Sequence, residues 1–265
     1  MELFKKPLSL NEQIEHLNTQ KNINFYGLDD RFVKNCLLKY NYINLITPFK
    51  HYYALKNINH ELIKDEYGNH LYPNIIEFNE YVIRYTNERK HYATIYRNIS
   101  DFEVNFNSII SHYCITTYKI NSIITFNIFI NSLKLNLMKF NSKIKLRNQI
   151  YKTITDFESN LYEYNNLYIL FDRLSLNDLC NIFRVLDDKL KNNIFSKLLE
   201  FKKTFNFTDL KTFEEKLHII VGIRNCVYHN NSLEILIRFY NFKNSDLRKS
   251  SDQRSYRNII EKLVK

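Results

Sequence analysis

Glycine and proline are almost missing from this chain: there are three of each in 265 residues. All three prolines (Pro7, Pro48, Pro73) and two of the glycines (Gly27, Gly68) fall in the first 73 residues, leaving Gly222 as the only one beyond. Strands in a sheet need tight turns, and tight turns draw on Gly and Pro. A large sheet is therefore excluded for the later two thirds. Long helices joined by Asn- and Ser-containing corners are expected instead.

Other things are scarce as well. The four cysteines (Cys36, Cys114, Cys180, Cys226) are far apart and show no paired spacing, which argues against a disulfide framework or a zinc site and for a reducing cytoplasm. The first residues lack the apolar centre of a signal peptide. The most apolar stretch, Ile120 to Leu133, is interrupted by Asn121, Asn127 and Asn131, and is too short and polar to span a bilayer. No cofactor is called for.

What is present is a packable, basic chain. Hydrophobic residues make up 45% and charged residues 25%, so a folded core is expected. Tyr and Phe number 20 each while Trp is absent. Exposed rings of that kind stack on bases. The formal net charge of +10 fits an anionic partner, nucleic acid or a membrane surface, and fits the plainer reading of solubility about equally well. Acidic residues are missing altogether from Val104 through Thr155, where Lys119, Lys134, Lys139, Lys143, Lys145, Arg147 and Lys152 interleave with Tyr118, Phe126, Phe129, Phe140 and Tyr151. Lys134, Lys139, Lys143, Lys145 and Arg147 are the candidate contacts to a phosphate backbone. A membrane-surface helix has a similar pattern.

In chain order, residues 1–50 form an expected N-terminal helical module. Ser9 and Glu12 stand at capping-box spacing. Phe32, Val33, Leu37, Leu38 and Tyr42 follow helical periodicity. Residues 51–73 connect, with turn chemistry from Asp65 to Pro73. Residues 74–265 form the main helical domain. Within it Ile99, Phe102, Phe106, Ile109, Ile110 and Tyr113 make one apolar stripe, while Glu103, Asn107 and Ser111 fall on another line. A helix is expected through Leu161, Tyr164, Tyr168, Phe171 and Leu174, and a second from Leu179 to Phe201. The tail carries Lys243, Arg248, Lys249, Arg254 and Arg257 as a basic helix.

The stretch Arg224-Asn225-Cys226-Val227-Tyr228-His229-Asn230 is out of keeping with its apolar flanks. Arg is a planar, permanently charged fork suited to phosphate oxygens. His exchanges a proton near neutrality. The apolar stripe Phe213, Leu217, Ile220, Ile223, Val227 puts His229 on the accessible side. Five positions on a helix turn through roughly 140°, so Arg224 and His229 do not share a face, whereas Asn225 and His229 do. Either the helix ends near Asn230, at the negative end of its dipole, or a second copy of the motif completes the site. Tyr228 is assigned to packing.

Arg-Asn-x-x-x-His-Asn resembles the signature of the HEPN superfamily, all-helical proteins in which such a pair marks metal-independent ribonucleases. Lys6-Pro-Leu-Ser-Leu-Asn-Glu-Gln-Ile-Glu-His-Leu17 and Tyr40-Asn-Tyr-Ile-Asn-Leu-Ile-Thr-Pro-Phe49 resemble the opening of abortive-infection proteins of the AbiD/AbiF type. Leu174-Ser-Leu-Asn-Asp-Leu179 is similar to that family's Ser-Phe-Gly-x-Leu corner, with Asn177 in place of Gly, an exchange that a left-handed corner tolerates. Glu103 matches a family Glu, and Asn107 replaces an Arg. Asn230 replaces a second His.

The resemblance implies an all-α, HEPN-like helical bundle with an N-terminal helical extension. It implies an endoribonuclease that leaves a 2′,3′-cyclic phosphate and acts in bacterial phage defence. Arg224, Asn225 and His229 are the candidate catalytic residues, with Glu103, Asn107 and Asn230 supporting them. A homodimer and a regulatory noncoding RNA are the implied partners. A non-catalytic RNA-binding HEPN module and a membrane-associated helical protein are the alternatives.

Overall fold

The structure is a computed structural model that describes residues 8–58, 61–162, 166–201, 207–241 and 246–264. Among them the fold is all-α, and the strands are two or three residues long. Two compact units are distinguished. The first joins residues 1–93 with 226–257, and the second joins 94–225 with 258–265.

The first unit opens with the helix Leu10–Lys21. Ser9 caps it, and the Glu12 carboxylate accepts the Ser9 backbone N–H, completing the expected capping box. Lys6, Pro7 and Lys243, part of the sequence argument, lie outside the described residues. Asn22, in left-handed conformation at φ 50°, ends this helix. Its chain then forms a short parallel pairing of Ile23 with Ile76 and Asn24 with Glu77. The helices Asp30–Tyr40 and Phe78–Arg89 enclose a core that includes Leu17, Ile23, Val33, Leu45, Phe49 and Phe78.

Residues 65–69 form a turn, as the local sequence predicts. Asp65 accepts the backbone N–H groups of Tyr67 and Asn69, and Gly68 takes φ 81°. Around it Lys64 bridges His70 and Lys56 bridges Leu62 as antiparallel neighbours. Nearby, His51 Nε2 lies 3.2 Å from Glu234, a carboxylate to which Tyr52 and Arg238 also donate.

The second unit is a bundle. Its longest helix, Tyr92–Thr117, buries Ile99, Phe106, Ile110 and Cys114. The helices Ile123–Leu137, Ile144–Ser159 and Leu176–Val185 pack on one another. Phe213, on the helix Leu210–Tyr228, sits among Phe102, Phe106, Phe183, Phe195 and Phe207. The bulky rings that replace Trp thus fill one interior site, where edge-to-face contacts add to the burial.

Three local expectations need correction. The helix read through Leu161 to Leu174 is instead a short 3₁₀ turn, Asn160–Tyr162, and the separate helix Leu167–Asp172; Tyr164 lies outside the described residues. The helix read from Leu179 to Phe201 is two helices, Leu176–Val185 and Asp188–Phe201. Leu186 is extended at ψ 157°, and Asp187 accepts the Leu190 N–H to start the second. Asn177 is not a left-handed corner: Ser175 caps the helix, so Asn177 lies inside its first turn. The corner is solved by a Ser–Asp capping box and needs no glycine.

Candidate functional site

The helix Leu210–Tyr228 carries the Arg–His stretch. Phe213, Leu217, Ile220, Ile223 and Val227 are all buried, so the expected core stripe is correct. The helix then stops abruptly. Asn230 is left-handed at φ 56°, its N–H bonds Val227 O at 3.1 Å, and the Asn231 N–H bonds Cys226 O at 2.8 Å. That pair of bonds is a Schellman stop, in which Asn takes the place glycine usually fills. His229 is left exposed at the helix end, with its ring edge-on to Tyr228 at 5.4 Å. Tyr228 is itself 55% exposed, which corrects its assignment to packing: at this point of the turn its side chain leaves the core stripe.

The stop is held from outside by residues that the sequence reading did not single out. Arg89 donates through one nitrogen to Asn230 Oδ1 at 2.7 Å and through another to the Asn230 carbonyl. The same guanidinium stacks on Tyr85 and Tyr92. The Tyr92 hydroxyl donates to Asn231 O at 2.6 Å and accepts from the Leu233 N–H. Glu88 accepts from Ser232 Oγ and from the Glu234 N–H, so it caps the next helix, Leu233–Arg238. Burial raises the Glu88 carboxyl above its usual range, although these donors pull it back. The signal was available in Glu88-Arg89-x-x-Tyr92, but nothing local in these residue types tells them from solvated helix residues.

Arg224 is held differently. Its Nε lies 3.4 Å from Glu103 Oε2, and a terminal nitrogen donates to Asn225 Oδ1 at 3.3 Å. The other Glu103 oxygen accepts the Leu176 N–H at 3.0 Å, at the start of the Leu176–Val185 helix. Arg224 is 27% exposed and Glu103 23%, so the pair is neither sealed in the core nor fully solvated. Asn225 is exposed and is tied to Arg224. Asn107, one turn beyond Glu103, donates to Phe171 O at 3.1 Å, a bond that fixes the end of a helix. Glu103 and Asn107 line a groove of about 500 Å³ with Ser111, Tyr168 and Asp172. Arg224 and Asn225 belong to the second compact unit and His229 to the first.

The basic tract divides. Lys134 is paired with Glu158 at 2.6 Å between two packed helices. Lys139, Lys143, Lys145 and Arg147 are exposed around the start of the Ile144–Ser159 helix. Lys143 also lines a groove of about 470 Å³ with Arg184, Lys191, Lys211 and His218, opposed by Glu214 and Glu215. Those three further cations were missed because they come from three separate helices. No helix among the described residues is long and apolar enough to cross a membrane. All four cysteines are free and buried. In the tail, Arg248 reaches Leu236 O and stacks on Tyr256, so it serves packing.

The sequence profile of the Abi-like protein family matches residues 35–233, about three quarters of the chain. The chain belongs to the Abi-like family. The matched stretch takes in Tyr40–Phe49, Glu103 and the Arg224–Asn230 motif of this Abi-like chain, whereas its Lys6–Leu17 segment precedes the match. No curated protein and no solved structure matches the chain.

Proposed function

We propose that this Abi-like protein is a metal-independent endoribonuclease of the HEPN type, acting in bacterial defence against phage by abortive infection. The observation that carries the reading is the Schellman stop after Tyr228. It presents His229 to solvent at the end of the helix whose preceding turn holds Arg224 against Glu103. His229 takes a proton from the RNA 2′-hydroxyl or gives one to the 5′-oxygen leaving group. The 2′-oxygen attacks phosphorus, the bond to the 5′-oxygen breaks, and the products are a 2′,3′-cyclic phosphate and a 5′-hydroxyl. Arg224 stabilises the charge that builds on the phosphorane oxygens, and Glu103 and Asn225 fix its orientation. We place the working site at a two-fold dimer in which two copies of the motif meet, with a regulatory RNA as a further partner.

The exposed cations around Lys139–Arg147 and the groove of Lys143, Arg184 and Lys211 support a single-stranded RNA track, whereas Lys191 in that groove is buried and paired with Glu214 at 2.8 Å. They equally favour a second reading, an RNA-binding module without catalysis. Labelled RNA incubated in EDTA separates the two. Cleavage that yields cyclic phosphate and is lost in both Arg224→Ala and His229→Ala is the expected result. Cleavage that survives in both variants defeats the catalytic assignment, and binding without any cleavage favours the module.

A further inference from the structure

The groove that Glu103 and Asn107 line has two walls. One is the face of the helix Tyr92–Thr117 that carries Glu103, Val104, Asn107, Ser108 and Ser111. The other is the short helix Leu167–Asp172, through Tyr168, Ile169 and Asp172. The Asn107 amide, donating to Phe171 O at 3.1 Å, ties one wall to the other. All of these residues belong to the second unit, as does Arg224.

The rim of this groove is apolar and faces water. Val104 is 62% exposed, Tyr168 51% and Ile169 46%. Exposed apolar side chains gathered around a few polar groups mark a ligand groove, and about 500 Å³ lies in the range of small-ligand sites. Tyr168 and Asp172 stand four positions apart, on one side of their helix. Among the described residues the Tyr168 ring has no ring or cation contact, and the Asp172 carboxylate has no hydrogen-bond or ion-pair partner. Asp172 is also the last residue of its helix, where the backbone dipole disfavours a negative charge. A carboxylate in that place does nothing for the helix.

A flat ring and an acceptor-only group one turn apart suit a nucleobase. Charge complementarity selects which base. The carboxylate offers two acceptor oxygens side by side and asks for two adjacent donors. Guanine presents N1–H and N2–H together on its Watson–Crick edge, whereas adenine, cytosine and uracil each set an acceptor beside the donor. Glu103 lines the groove and also holds Arg224 at 3.4 Å, so a guanidinium for the adjoining phosphate stands one side chain away.

We infer that this groove binds a guanine base of single-stranded RNA, with Tyr168 stacked on the ring and Asp172 accepting from N1–H and N2–H. The role of that base, as the nucleotide beside the scissile phosphate, rests on the ribonuclease reading. The binding itself does not. Asp172 is then a specificity-determining residue.

Calorimetric titration of the full chain with guanosine, inosine and adenosine monophosphates, each as 3′ and 5′ isomers, reads the site without any cleavage. The guanosine nucleotide is expected to bind at least about tenfold tighter than the adenosine one. Inosine should fall between them, because it keeps N1–H and lacks the 2-amino group. Asp172→Asn should abolish the preference, and Tyr168→Ala should weaken guanosine binding roughly 5- to 150-fold. Both side chains are exposed, so neither change disturbs the core. No measurable binding of the guanosine nucleotides, equal affinity for guanosine and adenosine, or a preference that survives Asp172→Asn overturns the proposal, whether or not the chain cuts RNA. Guanine-selective binding without cleavage sustains the site and removes the ribonuclease reading alone. Where RNA is cut, wild type should cut beside G, and Asp172→Asn should lose that preference while keeping its rate beside A; cutting by wild type that is indifferent to the base overturns the assignment.

Discussion

Arg224 and Glu103 stand 121 positions apart in sequence and meet through Nε and Oε2 at 3.4 Å, while the second oxygen of the same carboxylate receives the Leu176 N–H. One side chain thus fixes a guanidinium and the first turn of another helix. Glu103→Ala is expected to lower stability by about 1 kcal/mol, the low end for a lost charged partner because the pair is part-solvated. Glu103→Gln keeps an acceptor for Leu176 and should unfold close to wild type, yet it should cut RNA more slowly because Arg224 loses its charged anchor. Equal unfolding midpoints for the Ala and Gln variants would contradict this division of labour.

On the proposed chemistry, Arg224→Ala lowers the cleavage rate by about 10²–10³-fold. His229→Ala lowers it by about 10²–10⁴-fold. RNA affinity, measured by filter binding, should change little in either. A loss of affinity that matches the loss of rate would show that these residues hold the RNA and take no part in the chemistry.

Asn230, a supporting residue on the sequence pattern, has the geometry of a helix stop clamped by Arg89. Asn230→Ala places a Cβ-bearing residue without a polar side chain in the left-handed region and is expected to cost about 1–2 kcal/mol. Asn230→Gly relieves the backbone part, keeps the carbonyl that accepts from Arg89 and loses only the Oδ1 bond to it. Urea midpoints in the order wild type, Gly, Ala are the expected result.

Salt dependence separates the lysines. For single-stranded RNA each phosphate contact contributes roughly 0.7 to the slope of log affinity against log salt. Replacing Lys143, Lys145 and Arg147 by Ala together should reduce the slope by about 2. Lys134→Ala should leave it unchanged and lower stability instead, because Lys134 is already paired with Glu158. A slope that responds to Lys134 as strongly as to the exposed three would rule this out.

Acid should loosen the first unit in two stages. His70, driven down to about 4 by burial and neighbouring lysines, and His51, lowered mainly by burial, bind protons more readily when unfolded. Their contribution is complete above about pH 6.5 and fades as pH falls toward the folded values. Burial pushes Glu234 up, but the hydrogen bonds from His51 and Arg238 outweigh it and hold the group at about 2, so its contribution is lost between about pH 4.5 and 2. Glu88, raised by burial, works in the opposite sense. A scan of Tm from pH 7 to 4 should therefore fall, and His70→Gln should flatten it. An identical slope in the variant would remove His70 from the account.

Local signals made several elements legible. The lack of Gly and Pro and the spacing of Phe213, Leu217, Ile220, Ile223 and Val227 gave helices and one buried face, because periodicity is a property of neighbouring residues. Ser9 with Glu12 and the Asp65 turn were equally readable, since their hydrogen bonds span only a few positions. The break at Leu186 was not, because helical periodicity continues on both sides and only the Asp187 cap interrupts it. The partners of the motif lay beyond local reading altogether. Arg89 reaches Asn230 across 141 positions and Glu103 reaches Arg224 across 121, and nothing in either neighbourhood names the other. The sequence alone determined which residues bring the fixed charge and the exchangeable proton on which the proposed chemistry relies. The tertiary structure decided which of them are held, by which carboxylate or guanidinium, and which are left facing water, because charge pairing and burial depend on distances that only the folded chain creates.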